Sequence, residues 1–360
     1  MKEGWKYKRL GEIATYINGF AFKPSDWSIE GIPIIRIQNL TGTQLHFNKC
    51  SRKDIPEKYI VRNGDVLISW SATLGVFEWE LGDAYLNQHI FKVVFEKEEI
   101  NKKYFEYAIS ISINLMFQYT NGATMKHIRK GDFDNIRIPV PPLAEQQSIV
   151  SRLDSAFAKI DAVKANAEKQ LNDAKALFQK ELSKAMISKE GWEEKKLGEV
   201  TEVIHGKNQK DILSETGKYP IYGSGGNIMG YASDYLCEAG TTILGRKGSI
   251  NNPMYIEEKF WNVDTAFGIG PKGNNVSKFI YYFVLSIDWN EKNTGTTLPS
   301  LTQQVVKNVK LSVPPLSEQQ AIVTHLDTLS EKLKAVEEKQ KAIMAECDAM
   351  KQALLRDVFE

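Results

Sequence analysis

PPLAEQQSIVSRLD, from Pro141 to Asp154, returns later in the chain as PPLSEQQAIVTHLD, from Pro314 to Asp327. Each copy opens with a Pro-Pro pair, sets Glu-Gln-Gln in what reads as a first helical turn, and runs on into a long charged segment with apolar residues at helical spacing. The offset of 173 residues extends back to NGATMKHI from Asn121 and TGTTLPSL from Thr294. Further upstream, WKYKRLG (Trp5 to Gly11) pairs with WEEKKLG (Trp192 to Gly198), each followed by an Ile and a Gly at Ile17 and Gly19 or Ile204 and Gly206. The repeating unit is therefore a globular half followed by a long helix, written twice. The expected domains are residues 1–142, a spacer helix over 143–191, a second globular domain over 192–315, and a C-terminal helix over 316–360.

The first helical segment, Leu143 to about Ser188, has no internal Gly or Pro until its end. Val150, Leu153, Phe157, Ile160, Ala167, Leu171, Ala174 and Phe178 follow a 3-4 spacing, with Lys164 as the charged intruder. The second, Leu316 to about Phe359, repeats the pattern with Leu326, Leu329, Leu333, Val336, Ile343, Cys347, Met350 and Leu354. At about 1.5 Å per residue each is a rod of about 65 Å. Neither can leave such a stripe in water, so the two are expected to pack on each other. Antiparallel pairing lets the second rod return toward the first domain, whereas parallel pairing would need a long backtracking connection.

Each globular half alternates short β-rich runs with turns: IPIIRIQNL, GDVLISW and HIFKVVF in the first, YPIYG, TTILGR and FGIG in the second. A helix rich in Ile and aromatic residues follows each set, around Lys102 to Tyr119 and around Lys278 to Ile287. RIPVPP and KLSVPP close the halves as extended edge segments. The expected fold class is thus mixed α/β (α+β): two similar globular domains separated by a long antiparallel two-helix coiled coil, related by a pseudo-two-fold internal repeat.

The 360 residues carry a formal charge of +1, which argues against a polycation that coats nucleic acid but leaves duplex binding open. Basic residues gather at Lys49, Arg52 and Lys53 and again at Lys126, His127, Arg129 and Lys130, with a solvated surface as the plain alternative. Three cysteines far apart in sequence (Cys50, Cys237, Cys347) point to reduced thiols and a cytoplasmic location, and no apolar run is long enough for a membrane helix. Glycine-rich nucleotide loops, H-E-x-x-H, G-x-S-x-G and the Asn/Asp-Pro-Pro-Tyr of amine methylation are absent. The chain reads as neither an enzyme nor a holder of metals or cofactors. A metal-dependent nuclease built on Glu257 and Asp264 remains as an alternative, with Glu257, Glu258 and Lys259 otherwise an exposed turn.

What the chain does display is hydrogen-bonding side chains on turns beside β runs. Arg36, Gln38 and Asn39 end IPIIRIQNL, where strand alternation would set Arg36 and Gln38 opposite Ile35 and Ile37. Such side chains read purine edges in pairs of hydrogen bonds, although a solvated strand face fits equally well. Ser69 and Ser71, Asn87 and Gln88, and Asn121, Thr124 and Lys126 add donors nearby. The second half offers Tyr222 and Ser224 in YGSGGN, Arg246 and Lys247 in GRKGS, and Thr294, Thr296 and Thr297 in TGTT. These turns suit close backbone approach or a nest of amides around phosphate; a plain tight turn fits each one equally well, and the three together with Lys, Arg or Thr beside them favour phosphate.

WxxxxLG, IRIQNL, YPIYGSGG, ILGRKGSI, TGTT and the doubled PPL(A/S)EQQ blocks together resemble the specificity subunit of type I restriction-modification enzymes, over essentially the whole chain. The resemblance implies two target-recognition domains, each reading half of a bipartite, asymmetric target in double-stranded DNA. The helices would act as ruler and docking surface, with no catalysis by the subunit itself. It makes Arg36, Gln38, Asn39, Ser69 and Lys126 the DNA contacts of the first domain and Tyr222, Ser224, Arg246, Lys247 and Thr296 those of the second. Glu145, Gln146, Gln147, Glu318, Gln319 and Gln320 become docking or structural residues. The implied partners are two methyltransferase subunits, then restriction (translocase-nuclease) subunits, with self-association through the helices also open and no membrane. The rival of another class is a coiled-coil adaptor with two protein-binding domains and no DNA.

At about 3.4 Å per base pair, domains carried on such a rod would leave roughly six to eight pairs unread between half-sites. Deleting seven residues from one helix keeps the apolar register and is expected to shorten that gap. Methylation mapping that finds the target spacing unchanged would overturn the ruler.

Overall fold

The computed structural model describes residues 4–70, 75–119 and 130–359, apart from the side chains of 113–119. Cα proximity divides the chain into two compact units, Met1–Ala165 with Ile343–Glu360, and Asn166–Ala342. The first contains β1 (Lys6–Arg9), α1 (Leu10–Ile13), β2 (Thr15–Asn18), β3 (Ile32–Ile35), α2 (Ile37–Leu40), β4 (Asn48–Cys50), β5 (Ile60–Val61), β6 (Val66–Ser69), β7 (Gly75–Glu78), β8 (Ala84–Leu86), β9 (Ile90–Val94), α3 (Lys102–Tyr119), α4 (Lys130–Asp134) and β10 (Arg137–Val140). Helix α5 (Leu143–Ala185) starts there and ends in the second unit. The second unit continues with β11 (Glu193–Lys196), α6 (Leu197–Val200), β12 (Thr201–His205), β13 (Tyr219–Tyr222), β14 (Ile228–Ala232), β15 (Thr241–Gly245), β16 (Met254–Ile256), β17 (Trp261–Asn262), β18 (Ala266–Pro271), α7 (Ser277–Leu285), α8 (Gln303–Lys307), β19 (Lys310–Val313) and α9 (Leu316–Phe359), whose last turns return to the first unit.

The repeat is structural as well as sequential. An antiparallel sheet β2-β9-β6-β7 in the first unit matches β12-β18-β15-β16 in the second. A mixed sheet β4-β3-β8-β5 matches β14-β13-β17, with β3–β8 and β13–β17 parallel. The β5 pairing shrinks to one bridge, Cys237 to Phe260. Central strands β6 and β15 are buried along their whole length, as their near-continuous apolar runs require. Tyr16, Phe91, Phe105 and Phe133 fill the first core, and Phe267, Phe279 and Trp289 the second.

The repeated motifs at the two ends of each half meet. In WKYKRLG and RIPV, β1 pairs antiparallel with β10, and β11 pairs likewise with β19. Trp5 donates its indole N–H to Glu145 at 2.9 Å, and Trp192 donates to Glu318 at 2.9 Å. Gln146 is 1% exposed: its Oε1 accepts from the Asn101 backbone N–H (2.9 Å) at the start of α3, while its Nε2 donates to the Pro141 carbonyl (2.8 Å). Gln319, 3% exposed, accepts from Val276 N–H (2.9 Å) before α7 and donates to the Pro314 carbonyl (3.0 Å). Each amide ties the Pro-Pro stop to a helix start whose N–H groups have no intrahelical partner.

Helix α5 has 43 residues and α9 has 44. Within the first unit Ile149, Val150 and Leu153 of α5 join the same core as Leu355 and Phe359 of α9, Asp161 pairs with Lys351, and Lys164 meets Asp348 at 2.7 Å. Within the second, Phe178 and Leu182 share a core with Ile322, Val323 and Leu326, Lys175 meets Glu337 at 3.4 Å, and Gln340 donates to Gln170 at 3.0 Å. In both units α5 numbers rise as α9 numbers fall, so the strands of the coiled coil are antiparallel. Lys164, the intruder in the apolar stripe, is thereby ion-paired. Met350 does not take its expected place in the seam: it is 49% exposed, because a step of four from buried Cys347 carries the face to Lys351. The seam then continues through Leu354 and buried Leu355.

Replacing Gln146 with Ala leaves the Asn101 N–H and Pro141 carbonyl unpaired, an expected loss of about 1–3 kcal/mol in urea unfolding. Gln147→Ala, on the exposed neighbour, is expected to stay within about 0.5 kcal/mol of the parent. Equal losses for the two variants would refute the buried-amide account.

Candidate nucleic-acid interface

In both units the ends of the central strands are joined by the same backbone bonds. Gly19 N–H donates to the Ile90 carbonyl (3.1 Å) and Trp70 N–H to the His89 carbonyl (3.2 Å). Their counterparts run from Gly206 to Ala266 (3.0 Å) and from Arg246 to Thr265 (2.8 Å). Asn87 N–H reaches the Ile35 carbonyl just as Val263 N–H reaches that of Tyr222. The close approach demands glycine: a Cβ on Gly19 would lie 2.0 Å from the Asn87 carbonyl oxygen, and one on Gly206 would lie 1.9 Å from that of Val263. This shared frame sets one edge of each unit, and the side chains mounted on it differ.

In the first unit the chain leaves the sheet earlier than strand alternation predicts. Strand β3 stops at Ile35, and Ile37–Leu40 is the helical turn α2, so Arg36 and Gln38 do not share a strand face. The cause is Asn39, whose Oδ1 accepts from the Arg36 N–H (3.0 Å) and whose Nδ2 donates to the Gln44 and His46 carbonyls (3.0 and 3.1 Å). The Asn39 amide thus builds the turn. Arg36 is half-buried with its guanidinium 5.7 Å from the Trp27 ring centroid, and Gln38 is exposed. Ser69 is 0% exposed at the end of β6. Lys126, like Ser71, Asn121, Thr124, His127 and Arg129, lies outside the described residues. The Lys49, Arg52 and Lys53 cluster is partly neutralised, since Arg52 pairs with Asp26 (2.8 Å) and Asp54 (2.6 Å). The Lys23 backbone N–H and then Arg52 hold the Asp26 carboxyl below its usual range, and the Arg52 hydrogen bond does the same for Asp54.

In the second unit three turns converge. Leu301 N–H donates to the Arg246 carbonyl and Gly248 N–H to that of Pro299, both at 2.9 Å, and Lys247 bridges to Ser300, so GRKGS and TGTT lie side by side. Asn293 Oδ1 folds the second turn by accepting from Gly295 and Ser300 N–H, both at 2.8 Å. Arg246 is half-buried and anchored by one N–H on the Asp264 carbonyl (2.9 Å), whereas Lys247 and Thr296 are exposed. In YGSGGN, Gly223 N–H meets the Asn227 carbonyl, and Gly226 takes a φ of 82° above the Met254 sulfur. Ser224 is half-buried in that turn, and the Tyr222 hydroxyl faces Glu258 at 3.4 Å.

Glu257 lies 3.8 Å from Lys278, and Asp264 uses its backbone on Arg246. Among the described residues no group of three or more His, Cys, Asp or Glu is placed to hold a metal ion, and no helix is long and apolar enough to cross a membrane. Of the Glu-Gln-Gln turns, Glu145, Gln146, Glu318 and Gln319 make the internal bonds described above. Gln147 and Gln320 are exposed, Gln147 accepting from the Asn101 amide at 2.9 Å. Three edge residues of the first unit escape a sequence reading: Asn18, Trp70 and His89. The available signal was the alignment of GDVLISW with TTILGR, which puts Trp70 opposite Arg246.

The model of the type I restriction modification DNA specificity domain matches residues 2–173 and 189–344. The chain is 25% identical, over an alignment of 380 positions, to the type I restriction enzyme MjaVIII specificity subunit of Methanocaldococcus jannaschii, covering 91% of this chain and 86% of that one. To the EcoBI specificity subunit of Escherichia coli it is 28% identical over 217 residues, 59% of this chain and 44% of that protein, so this match spans less than half of that relative. A solved structure described as the structural basis of complex assembly and conformational transition of the type I R-M system superposes with a TM-score of 0.76 at 18% identity, over 99% of this chain and 97% of its own. The HsdS subunit from Thermoanaerobacter tengcongensis gives 0.50 at 19% identity, over 100% and 97%. At such identities these structures establish the fold, two similar mixed α/β domains with long helices. With the family model matching most of its length, the chain belongs to the type I restriction modification DNA specificity family.

Proposed function

We propose that this chain reads a bipartite, asymmetric sequence in double-stranded DNA, one half with each recognition domain (residues 1–142 and 192–315), on behalf of a type I restriction-modification complex. Membership of the DNA specificity family makes target recognition its task and leaves catalysis to other subunits. The observation that supports the two-headed reading is the repeated edge. Matching backbone frames carry different side chains: Arg36 follows β3 where Gly223 follows β13, and Trp70 stands where the other unit has Arg246, so the two edges present different chemistry to DNA. A guanidinium held from behind by a carbonyl, as Arg246 is by Asp264, still has N–H groups for a bidentate contact to guanine. Exposed Lys247 and the amides of the glycine turns suit phosphate.

The partners that fit are two methyltransferase subunits, one for each repeat, and restriction subunits beyond them. The exposed members of the helix starts, Leu143, Gln147, Leu316 and Gln320, present the same face twice and are the docking candidates. With a formal charge of only +1, the chain needs such partners to neutralise phosphates. The adaptor reading lacks support of this kind, since the repeated edges carry polar turns instead of an apolar groove.

Mapping methylated adenines in host DNA with and without the gene is expected to show one bipartite motif that disappears on deletion; an unchanged methylome removes the proposal. In the assembled complex, Lys247→Ala is expected to weaken binding on every sequence alike and to lower the salt slope by about 0.9. Arg246→Ala is expected instead to cost about 1–3 kcal/mol of discrimination at one base pair. A change of sequence preference caused by Lys247→Ala would contradict its assignment to phosphate.

A further inference from the structure

At the edge of the first unit, where the second carries Arg246 and Thr265, the frame holds Trp70 and His89. The two rings meet edge to face with centroids 4.9 Å apart, and Trp70 stacks on Phe91 at 5.7 Å and 25°. The indole N–H of Trp70 donates to Asn18 Oδ1 (3.1 Å). Among the described residues His89 is the one non-glycine with a positive φ, 72°. The fold does not demand that conformation, because Thr265 at the equivalent place supports the same backbone bond with a negative φ. A costly backbone conformation retained where the frame permits an ordinary one marks a site at which the side chain's placement matters.

We propose that Trp70 and His89 form a base-reading subsite of the first recognition domain that takes the 5-methyl group of a thymine in the major groove. This rests on the DNA-reading function proposed above and assigns chemistry to one half of it. An indole is a donor only, and its single N–H is already engaged by Asn18, so the ring contributes carbon surface. Of the groups that base pairs show in the major groove, the thymine methyl is the one recognised by apolar contact. The Phe91 stack and the Asn18 bond fix the ring plane before DNA arrives. The two units thus use opposite chemistry at one position of a common frame: hydrogen bonding through Arg246, apolar contact through Trp70.

The test uses the full chain with its methyltransferase subunits and the target found by methylome mapping. Each thymine of the half-site read by the first domain is replaced in turn by uracil, which removes only the methyl group. The expected result is about a fourfold loss of affinity at one position, the worth of one buried methyl, and no loss from uracil in the other half-site at the Arg246 contact. His89→Gly adopts the positive φ without strain and preserves the fold; it is expected to erase the difference between thymine and uracil, as is Trp70→Phe in part. Specific binding with indifference to uracil at every position, a half-site without thymine, or full discrimination by His89→Gly each overturns the subsite. Absence of any sequence-specific binding would instead strike the underlying DNA-reading function.

Discussion

Everything mounted on this chain depends on a side-chain amide that reaches in two directions. Gln146 and Gln319 each accept from a backbone N–H at the start of a recognition-domain helix and donate to the carbonyl of the proline that ends the domain. Proline supplies no N–H, so the chain's turn from strand to helix needs an outside group to complete it. A buried amide with both ends engaged is strongly position-dependent, since loss of either partner leaves a desolvated polar atom. Trp5 and Trp192, donating to Glu145 and Glu318 one residue earlier, add a second tie from the opening strand of each unit to the same turn. The orientation of a recognition domain on its own helix segment is thereby fixed by hydrogen bonds between motifs that lie more than a hundred residues apart.

The doubled PPLxEQQ blocks announce the repeat, the long helices and their ends, because periodicity and Pro-Pro punctuation are local signals. Strands β3, β6, β9, β13, β15 and β18 are also legible as short apolar runs between turns. What escapes is partnership. No local pattern says that the Trp of WKYKRLG donates to the Glu of PPLAEQQ, or that Arg52 spends its charge on Asp26 and Asp54. Side-chain capping also competes with alternation: Asn39 converts IQNL into a helical turn, although Ile34, Ile35 and Ile37 favour an extended chain. The candidate edge was legible as a set of turns and illegible as one surface. GRKGS and TGTT are brought together by backbone bonds between residues some fifty positions apart, such as Leu301 with Arg246.

A recognition surface of this kind separates what must stay from what can vary. The bonds from Gly19 and Gly206, from Trp70 and Arg246, and from Asn87 and Val263 are all made by backbone atoms. They leave the side chains at the edge free to differ without loss of a frame hydrogen bond, except at the glycines, where a Cβ would strike a carbonyl oxygen. Tryptophan and arginine, or histidine and threonine, therefore occupy equivalent positions on equally well-formed frames. The edge side chain changes from an apolar ring to a guanidinium while β6 and β15 remain buried and paired. On the proposed function, discrimination rests on a few edge substituents, whereas stability is carried by the sheets, the aromatic cores and the amide ties behind them, so selection on the target need not act against the fold.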